Sequence, residues 1–233
     1  MTNPLLDQWT RRTVNIRGEE IAVWPASQKI TKLLDTFILM TRFEDVPRYH
    51  PELTRKVFEQ EKKGKFKVDF GQGGCGTKIF HLDRWQSAEA ELIHLRAIAF
   101  FSLVYKCQSP VVDVSMANIF RAGDYCLPHS HVRTSASLVY SVSCGSADPQ
   151  HGRSGKLCIV DPRMPECCQE QEGRMTTPLI PDMKPGTMIF FPSEVMHFVT
   201  PYTGKKSPRI SLAWNIDEQL VPGDAIPGGL PEL

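Results

Sequence analysis

Residues 209–215 read Arg-Ile-Ser-Leu-Ala-Trp-Asn, and in this stretch large apolar side chains alternate with polar or small ones. An alternation of period two predicts a β-strand, because successive side chains of a strand point to opposite faces of the sheet. The apolar side chains would pack against a core. The opposite face would line a polar cavity, and it consists of Arg209, Ser211, Ala213 and Asn215.

Further short apolar runs lie between residue 110 and this strand, and turn-forming residues separate them. The runs are Val111–Phe120, Ala136–Ser143, Lys156–Val160, Thr187–Phe191 and His197–Thr200. Runs of this length and spacing, rich in Val, Ile and Phe, are typical of an all-β barrel or a two-sheet jelly roll. We therefore expect a jelly-roll core over residues 110–216.

The first half of the chain is predicted to be mainly helical. Ser27 can cap a helix with an apolar stripe. The stripe consists of Ile30, Leu33, Leu34, Phe37 and Ile38. Pro51 suits the first turn of a polar helix that ends near Lys63. Ser87–Tyr105 predicts a buried helix, because its last turns are apolar nearly all round. A short strand is expected at Lys65–Phe70, where polar and apolar residues alternate.

The whole chain is predicted to form a single domain, residues 1–233, of mainly β structure with N-terminal helices. Residues 1–109 would be a helical support region, residues 110–216 the jelly-roll core and residues 217–233 an irregular tail. The loop Pro162–Lys184 is expected to cover the mouth of the barrel, because long loops in compact domains are often functional lids.

The composition argues against several classes of protein. The chain has 233 residues, with 27 Lys and Arg against 26 Asp and Glu, and its net charge is +1. Nucleic-acid and membrane-surface proteins usually show a basic excess, so we expect neither kind of partner. No apolar run approaches membrane-spanning length. The seven cysteines, in a chain without a visible secretory signal, are expected to be reduced thiols of a cytoplasmic protein. The oligomeric state is open, and a homo-oligomer is compatible with the sequence.

Three histidines predict a metal site. His129 and His131 are separated by one residue, so on a strand their rings share a face. His197 would join them from a distant strand, and imidazoles on one side of a divalent transition metal leave its other side open. Arg209 and Ser211 share the face of a later strand, where a guanidinium and a hydroxyl can bind a carboxylate. Together these residues indicate an iron centre that binds an oxo-acid and oxygen.

A series of motifs covers the second half of the chain. In order they are Asn118, Gly123, Pro128-His129-Ser130-His131, Gly155-Lys156-Leu157, Asp161-Pro162-Arg163, Pro185-Gly186, Phe191-Pro192-Ser193, His197 and Arg209-Ile210-Ser211. This order resembles the Fe(II)- and 2-oxoglutarate-dependent oxygenase superfamily. The resemblance implies a double-stranded β-helix (jelly-roll) core, Fe(II) as the metal, and 2-oxoglutarate and O2 as co-substrates.

The same resemblance implies roles for single residues. His129 and His197 would be the two iron histidines, and Arg209 and Ser211 would bind the distal carboxylate of 2-oxoglutarate. Further co-substrate contacts would be Asn118 and Tyr140. The implied activity couples decarboxylation of 2-oxoglutarate, which gives succinate and carbon dioxide, to oxidation of an unidentified small-molecule substrate, with hydroxylation as the default outcome.

One position departs from the superfamily. Most members have Asp or Glu two residues after the first histidine, whereas this chain has His131, which resembles a subset of bacterial and phage-like members. His131 can be the third ligand, or it can turn away and leave a two-histidine site like that of halogenating members. Candidate substitutes for the missing carboxylate are Asp148, His151 and Asp161.

Two other functions remain open on the sequence. One is a three-histidine dioxygenase of cupin type, which needs iron and oxygen but no 2-oxoglutarate. The other is a non-catalytic jelly-roll module that binds a metal or a small acid.

Overall fold

A computed structural model describes residues 4–32, 37–64, 67–69, 74–131, 133–146, 152–160 and 178–218. These residues form three α-helices, which are α1 (Pro4–Arg11), α2 (His50–Lys63) and α3 (Ala88–Tyr105). Their strands are β1 (Thr13–Ile16), β2 (Glu19–Ala22), β3 (Ile30–Lys32), β4 (Leu39–Arg42), β5 (Lys67–Asp69), β6 (Gly74–Cys75), β7 (Thr77–Phe80), β8 (Val111–Phe120), β9 (Tyr125–His129), β10 (Ala136–Ser143), β11 (Leu157–Ile159), β12 (Thr187–Pro192), β13 (His197–Val199) and β14 (Arg209–Asp217). Among the helices of these residues, none has the length and apolar character needed to cross a membrane.

Two antiparallel sheets enclose a cavity. The larger sheet has the strand order β3-β4-β12-β10-β14-β8-β7-β5, and the smaller one has the order β11-β13-β9-β6. A separate hairpin pairs β1 with β2. The architecture is therefore mainly β with helices in the N-terminal half, as the sequence predicted.

Alternation along β14 separates the core from the cavity. Ile210, Leu212 and Trp214 are at most 1% exposed and belong to the main apolar core. Arg209 and Ser211 point to the opposite face and line the cavity between the sheets. The division of this strand into an apolar and a polar face is confirmed.

Helix α3 covers the outer face of the larger sheet. Ser87 caps its start, because the serine hydroxyl accepts a hydrogen bond from Ala90 N at 3.3 Å. Phe100 and Phe101 pack against Phe190 of β12, with ring centroids 5.6 and 6.4 Å apart. The helix thereby supports the strands that carry the cavity on their other face. The helices predicted at Pro51–Lys63 and Ser87–Tyr105 are confirmed.

The helix predicted to begin at Ser27 is wrong. Ile30–Lys32 is strand β3, which pairs with β4, and β4 pairs in turn with β12. The apolar spacing of three and four residues fits a helix, but β-branched Ile30 and Thr31 gain cross-strand partners at the edge of the larger sheet. A local pattern does not reveal such partners. Leu33 and Leu34 of the predicted stripe lie outside the described residues.

The N-terminal support region contributes strands as well as helices. Strands β3 and β4 extend one edge of the larger sheet, and β7 and β5 extend the other. Residues 162–177 of the predicted lid and residues 219–233 of the predicted tail lie outside the described residues. The division of the chain at residues 110 and 216 and the cytoplasmic location stay predictions.

Candidate metal and co-substrate site

Three histidines meet in the cavity between the sheets. His129 ends β9, His197 begins β13, and the two are cross-strand partners in the smaller sheet. Their ring centroids are 4.3 Å apart, and those of His131 and His197 are 5.3 Å apart. The ring nitrogens that could ligate a metal all lie within 4.8 Å of one another. Three imidazoles at this spacing can converge on one divalent ion.

Backbone carbonyls hold two of the rings. His129 Nδ1 donates to Leu127 O at 2.8 Å, and His197 Nδ1 donates to Val195 O at 2.9 Å. A carbonyl oxygen only accepts, so the proton of each neutral ring lies on Nδ1 and the lone pair of Nε2 is left for a metal. Burial lowers the pKa of His197 to about 3 and also lowers the pKa of His129. Both rings are therefore neutral near pH 7, which is the form that binds metals.

His131 lies just beyond β9, and its ring is held by a side chain instead. The main-chain N of His131 donates to Ser193 O at 2.7 Å. Its Nδ1 lies 3.4 Å from Nδ2 of Asn215 on β14. Burial lowers the pKa of His131 to about 4, so this ring is also neutral near pH 7. The structure brings His131 to the other two histidines rather than turning it away.

Arg209 is a buried cation in the same cavity. It is 7% exposed, its Nη1 donates to Ser211 Oγ at 3.2 Å, and its guanidinium carbon lies 5.3 Å from the centre of the Phe120 ring. No carboxylate of the described ranges forms an ion pair with it. Burial lowers the pKa of Arg209 to about 10, which still leaves it charged near pH 7. A buried guanidinium without a counter-charge favours the binding of an anion.

A row of polar side chains crosses the larger sheet beside Arg209. Ser211 is the cross-strand partner of Asn118, and Asn118 is the partner of Lys78, so the three share a face. All three line the cavity. Asn118 therefore lies beside Ser211 in the cavity, and its contact with the co-substrate stays a prediction.

Sequence reasoning missed Lys78 and Cys126, which also line the cavity. Lys78 lies on β7, in the region predicted to be helical, and nothing in its local sequence links it to the site. Cys126 Sγ is 3.7 Å from His129 Nδ1. Cys126 lies three residues before His129, so a regular alternation of β9 would place the two side chains on opposite faces. A register shift between β9 and β13 interrupts that alternation, so the local sequence did not indicate this contact.

The donor set fits a divalent transition metal. Three neutral imidazoles suit Fe(II) and its neighbours, and they would leave the ion its full positive charge. The described residues that line the cavity include no Asp or Glu, so an anionic co-substrate would supply the negative charge. The predicted carboxylate substitutes, Asp148, His151 and Asp161, lie outside the described residues.

Tyr140 does not reach the cavity. It is fully buried on the opposite face of β10, where its hydroxyl lies 2.6 Å from His50 Nε2 and 3.2 Å from the hydroxyl of Tyr49. The expected co-substrate contact at Tyr140 is therefore corrected. The alternation of β10 directs Ser137 and Val139 into the cavity, and it directs Tyr140 toward the helices.

Residues 115–215 match the family model described as "Putative 2OG-Fe(II) oxygenase". This stretch runs from β8 to β14 and contains the three histidines and Arg209. No curated protein matches the chain.

Solved structures share the fold at low sequence identity. A prolyl-4-hydroxylase from Pseudomonas putida has a TM-score of 0.54 at 16% identity, and the match covers 82% of this chain and 92% of that one. The viral collagen prolyl hydroxylase of Paramecium Bursaria Chlorella virus-1, solved as a 2-oxoglutarate complex, has a TM-score of 0.51 at 15% identity over 76% and 94% of the chains. EctD from S. alaskensis has a TM-score of 0.56 at 14% identity over 84% and 86%.

The predicted fold class, a double-stranded β-helix with N-terminal helices, is confirmed by these neighbours. The resemblance stated from the sequence motifs is confirmed as well, and with it Fe(II) and 2-oxoglutarate as the cofactors that the family uses. Residues 115–215 of this chain, from β8 to β14, are therefore similar to the family of putative 2OG-Fe(II) oxygenases.

Proposed function

We propose that this protein is an Fe(II)/2-oxoglutarate-dependent dioxygenase that oxidises a small-molecule substrate, with hydroxylation as the default outcome. The observation that carries the proposal is that one cavity is lined by a three-histidine cluster and by a buried guanidinium that has no carboxylate partner among the described residues. The first can hold a metal and the second an acid, and an enzyme of this kind must bind both at once.

The roles of the side chains follow from their positions. His129, His131 and His197 would hold the iron through Nε2. Arg209 and Ser211 would bind the distal carboxylate of 2-oxoglutarate and so direct its 2-oxo-acid end toward the histidines. When both are bound, iron and 2-oxoglutarate supply oxidising power from O2, and 2-oxoglutarate is converted to succinate and carbon dioxide.

The remaining walls of the cavity would complete the site. Asn118 lies beside Ser211 and could donate its amide N–H to the co-substrate. Val139, Leu157 and Val199 form apolar walls of the same cavity. Apolar walls keep bulk water away from the metal, which strengthens the electrostatic interactions within the site.

A three-histidine dioxygenase that does not use 2-oxoglutarate is not favoured. Such an enzyme would have no acid for Arg209 to bind. Burying an unpaired guanidinium costs about several kcal/mol, so its presence in the cavity favours an acidic ligand. A non-catalytic module that binds a metal and an acid would have the same cavity. Only a measurement of 2-oxoglutarate-dependent oxygen uptake distinguishes such a module from an oxygenase.

The proposal is tested by anaerobic titration of 2-oxoglutarate into Fe(II)-loaded protein, followed by the visible charge-transfer band of the chelated complex. We expect the band in the wild type and its loss in His197→Ala. His50→Asn is the matched control, because His50 lies on the other side of the sheet, and it should keep the band. Iron binding without a band would contradict the proposal. Absence of 2-oxoglutarate-dependent O2 uptake would leave only the non-catalytic module.

A further inference from the structure

The three histidines differ in what holds Nδ1. His129 and His197 donate Nδ1–H to carbonyl oxygens, which fixes Nε2 as the ligand atom in both. His131 faces the side-chain amide of Asn215 instead, 84 positions away in the sequence. An amide presents either a donor or an acceptor, depending on which way it is turned. The tautomer of His131 therefore depends on Asn215.

In the structure the amide nitrogen of Asn215 faces the ring. Asn215 Nδ2 donates to His131 Nδ1 at 3.4 Å, and Asn215 Oδ1 accepts from Ser137 Oγ at 3.0 Å. With Nδ1 accepting, the proton of the neutral His131 ring must lie on Nε2. A protonated nitrogen has no lone pair for a metal, so this arrangement does not make Nε2 of His131 a ligand.

The hydrogen bonds around Asn215 can be reversed without losing any of them. Ser137 Oγ lies 3.3 Å from Ser193 Oγ, which lies 2.9 Å from Thr134 Oγ1. Each hydroxyl both donates and accepts, so the direction of this series of hydrogen bonds can change. If the amide turns over, Asn215 Nδ2 donates to Ser137, Ser137 donates to Ser193, and Asn215 Oδ1 accepts from His131 Nδ1.

The surroundings favour this turn over a movement of the ring. Ser193 is fully buried, Ser137 is 3% exposed and Asn215 is 8% exposed, so these three side chains have little contact with bulk water. The carbonyl of Ser193 also accepts the main-chain N–H of His131 at 2.7 Å, which holds the backbone of His131 in place. Turning one amide is the smallest change that frees the lone pair of Nε2.

We propose that Asn215 is the positioning residue that sets the tautomer of His131, and that its amide turns its oxygen toward the ring when a metal binds. His131 then becomes the third metal ligand and takes the place of the carboxylate found in most of the superfamily. This inference rests on the proposed function, because it needs a metal at the histidine cluster.

The tautomer of His131 can be measured directly in the wild type. Zn(II) serves as the diamagnetic probe, and two-bond ¹⁵N–¹H spectra of the histidine rings distinguish Nδ1–H from Nε2–H. His131→Gln assigns the signals. We expect Nε2–H for His131 in the metal-free protein and Nδ1–H in the Zn(II)-loaded protein. A His131 that keeps Nε2–H with Zn(II) bound would overturn the inference.

Substitution of Asn215 gives an independent readout. Asn215→Leu has a similar size but no acceptor, and we expect its affinity for Co(II), followed by visible absorption, to fall about 10- to 100-fold. Asn215→Asp can only accept from the ring, so it should restore Nδ1–H and binding. Gln60→Leu is the matched control, because it also replaces a buried amide but lies on α2, away from the cavity. It should bind Co(II) like the wild type.

The outcomes separate this inference from the proposed function. A wild type that binds neither Zn(II) nor Co(II) contradicts the metal site itself and the inference with it. A wild type that binds both, with an Asn215→Leu variant of equal affinity, overturns only the role of Asn215.

Discussion

Replacing Arg209 by Met should separate ligand binding from folding stability. The change keeps most of the side-chain stem and removes the guanidinium. Arg209 is 7% exposed, bonds Ser211 Oγ at 3.2 Å and has no carboxylate partner within the residues that the structure describes. We expect weaker binding of 2-oxoglutarate without a loss of stability in the ligand-free protein.

The size of the binding effect follows from burial. Removing one partner of a buried, hydrogen-bonded charge pair costs about 2–5 kcal/mol. At 25 °C this corresponds to roughly a 30-fold to several-thousand-fold loss of affinity. Because Arg209 is almost fully buried, we expect a loss of about 100-fold or more. Arg209→Lys keeps the charge without the two-pronged geometry, so its affinity should lie between those of Arg209→Met and the wild type.

The stability effect should have the opposite sign from that of an ordinary buried ion pair. Breaking such a pair costs about 3–5 kcal/mol, because a buried charge loses its partner. In the ligand-free protein, Arg209→Met removes a charge that has no such partner among the residues that the structure covers. It also loses the contact with the Phe120 ring, worth about 0.5–2 kcal/mol. We expect the free energy of unfolding to stay equal or to rise by up to about 2 kcal/mol.

Two measurements check this prediction. Isothermal titration of 2-oxoglutarate into Zn(II)-loaded protein gives the affinity without turnover, and urea unfolding of the metal-free protein gives the stability. An affinity within about threefold of the wild type would refute the assignment of Arg209 to the co-substrate. A stability loss of about 3 kcal/mol or more would refute the argument that its charge is uncompensated.

Three further predictions follow from the same geometry. His131→Asp adds a negative charge beside the ion and should tighten Co(II) binding about 10-fold or more; equal or weaker binding in a chelator competition would contradict a role for this position in the metal site. Tyr140→Phe removes a buried hydroxyl from Tyr49 and His50 and should cost about 1–2 kcal/mol in urea unfolding. Tyr140→Phe should leave the affinity for 2-oxoglutarate unchanged. A changed affinity would indicate that Tyr140 contacts the co-substrate after all. Burial lowers the pKa of His50 from 6.5 to about 4, so the unfolded chain takes up the proton first and stability falls as the pH drops from about 6.5 to 4. The metal-free His50→Asn variant should show a flatter profile of unfolding free energy against pH, and identical profiles would exclude this linkage.

Much of the core could be predicted from local sequence. Strands β8 and β10 have the predicted bounds, and β14 extends the predicted Arg209–Asn215 by two residues. Their side chains alternate because each strand has one face on the apolar core and the other on the cavity. The same alternation in Ala136–Ser143 groups Tyr140 with Leu138 and Val142, a signal that could have excluded Tyr140 from the cavity.

The edges of the larger sheet could not be predicted in the same way. The stretch around Ile30 has a helical spacing of apolar residues, yet it forms a strand because β4 and β12 supply an open edge for pairing. Lys78 enters the cavity for a related reason, since β7 pairs with β8 and brings Lys78 beside Asn118. Both results depend on pairing between segments far apart in the chain.

The sequence by itself determined the β-strand pattern, the three histidines, the Arg209–Ser211 pair and the resemblance to the oxygenases. These features depend on residue type and on spacings of a few residues, which the chemistry of one strand decides. Only the tertiary structure decided that His131 joins the other histidines, that Asn215 faces its ring, and that Arg209 is buried with no carboxylate partner in the part of the chain that the structure describes. Strand register and burial bring these groups together, and both are set by contacts that form only when the sheets pack.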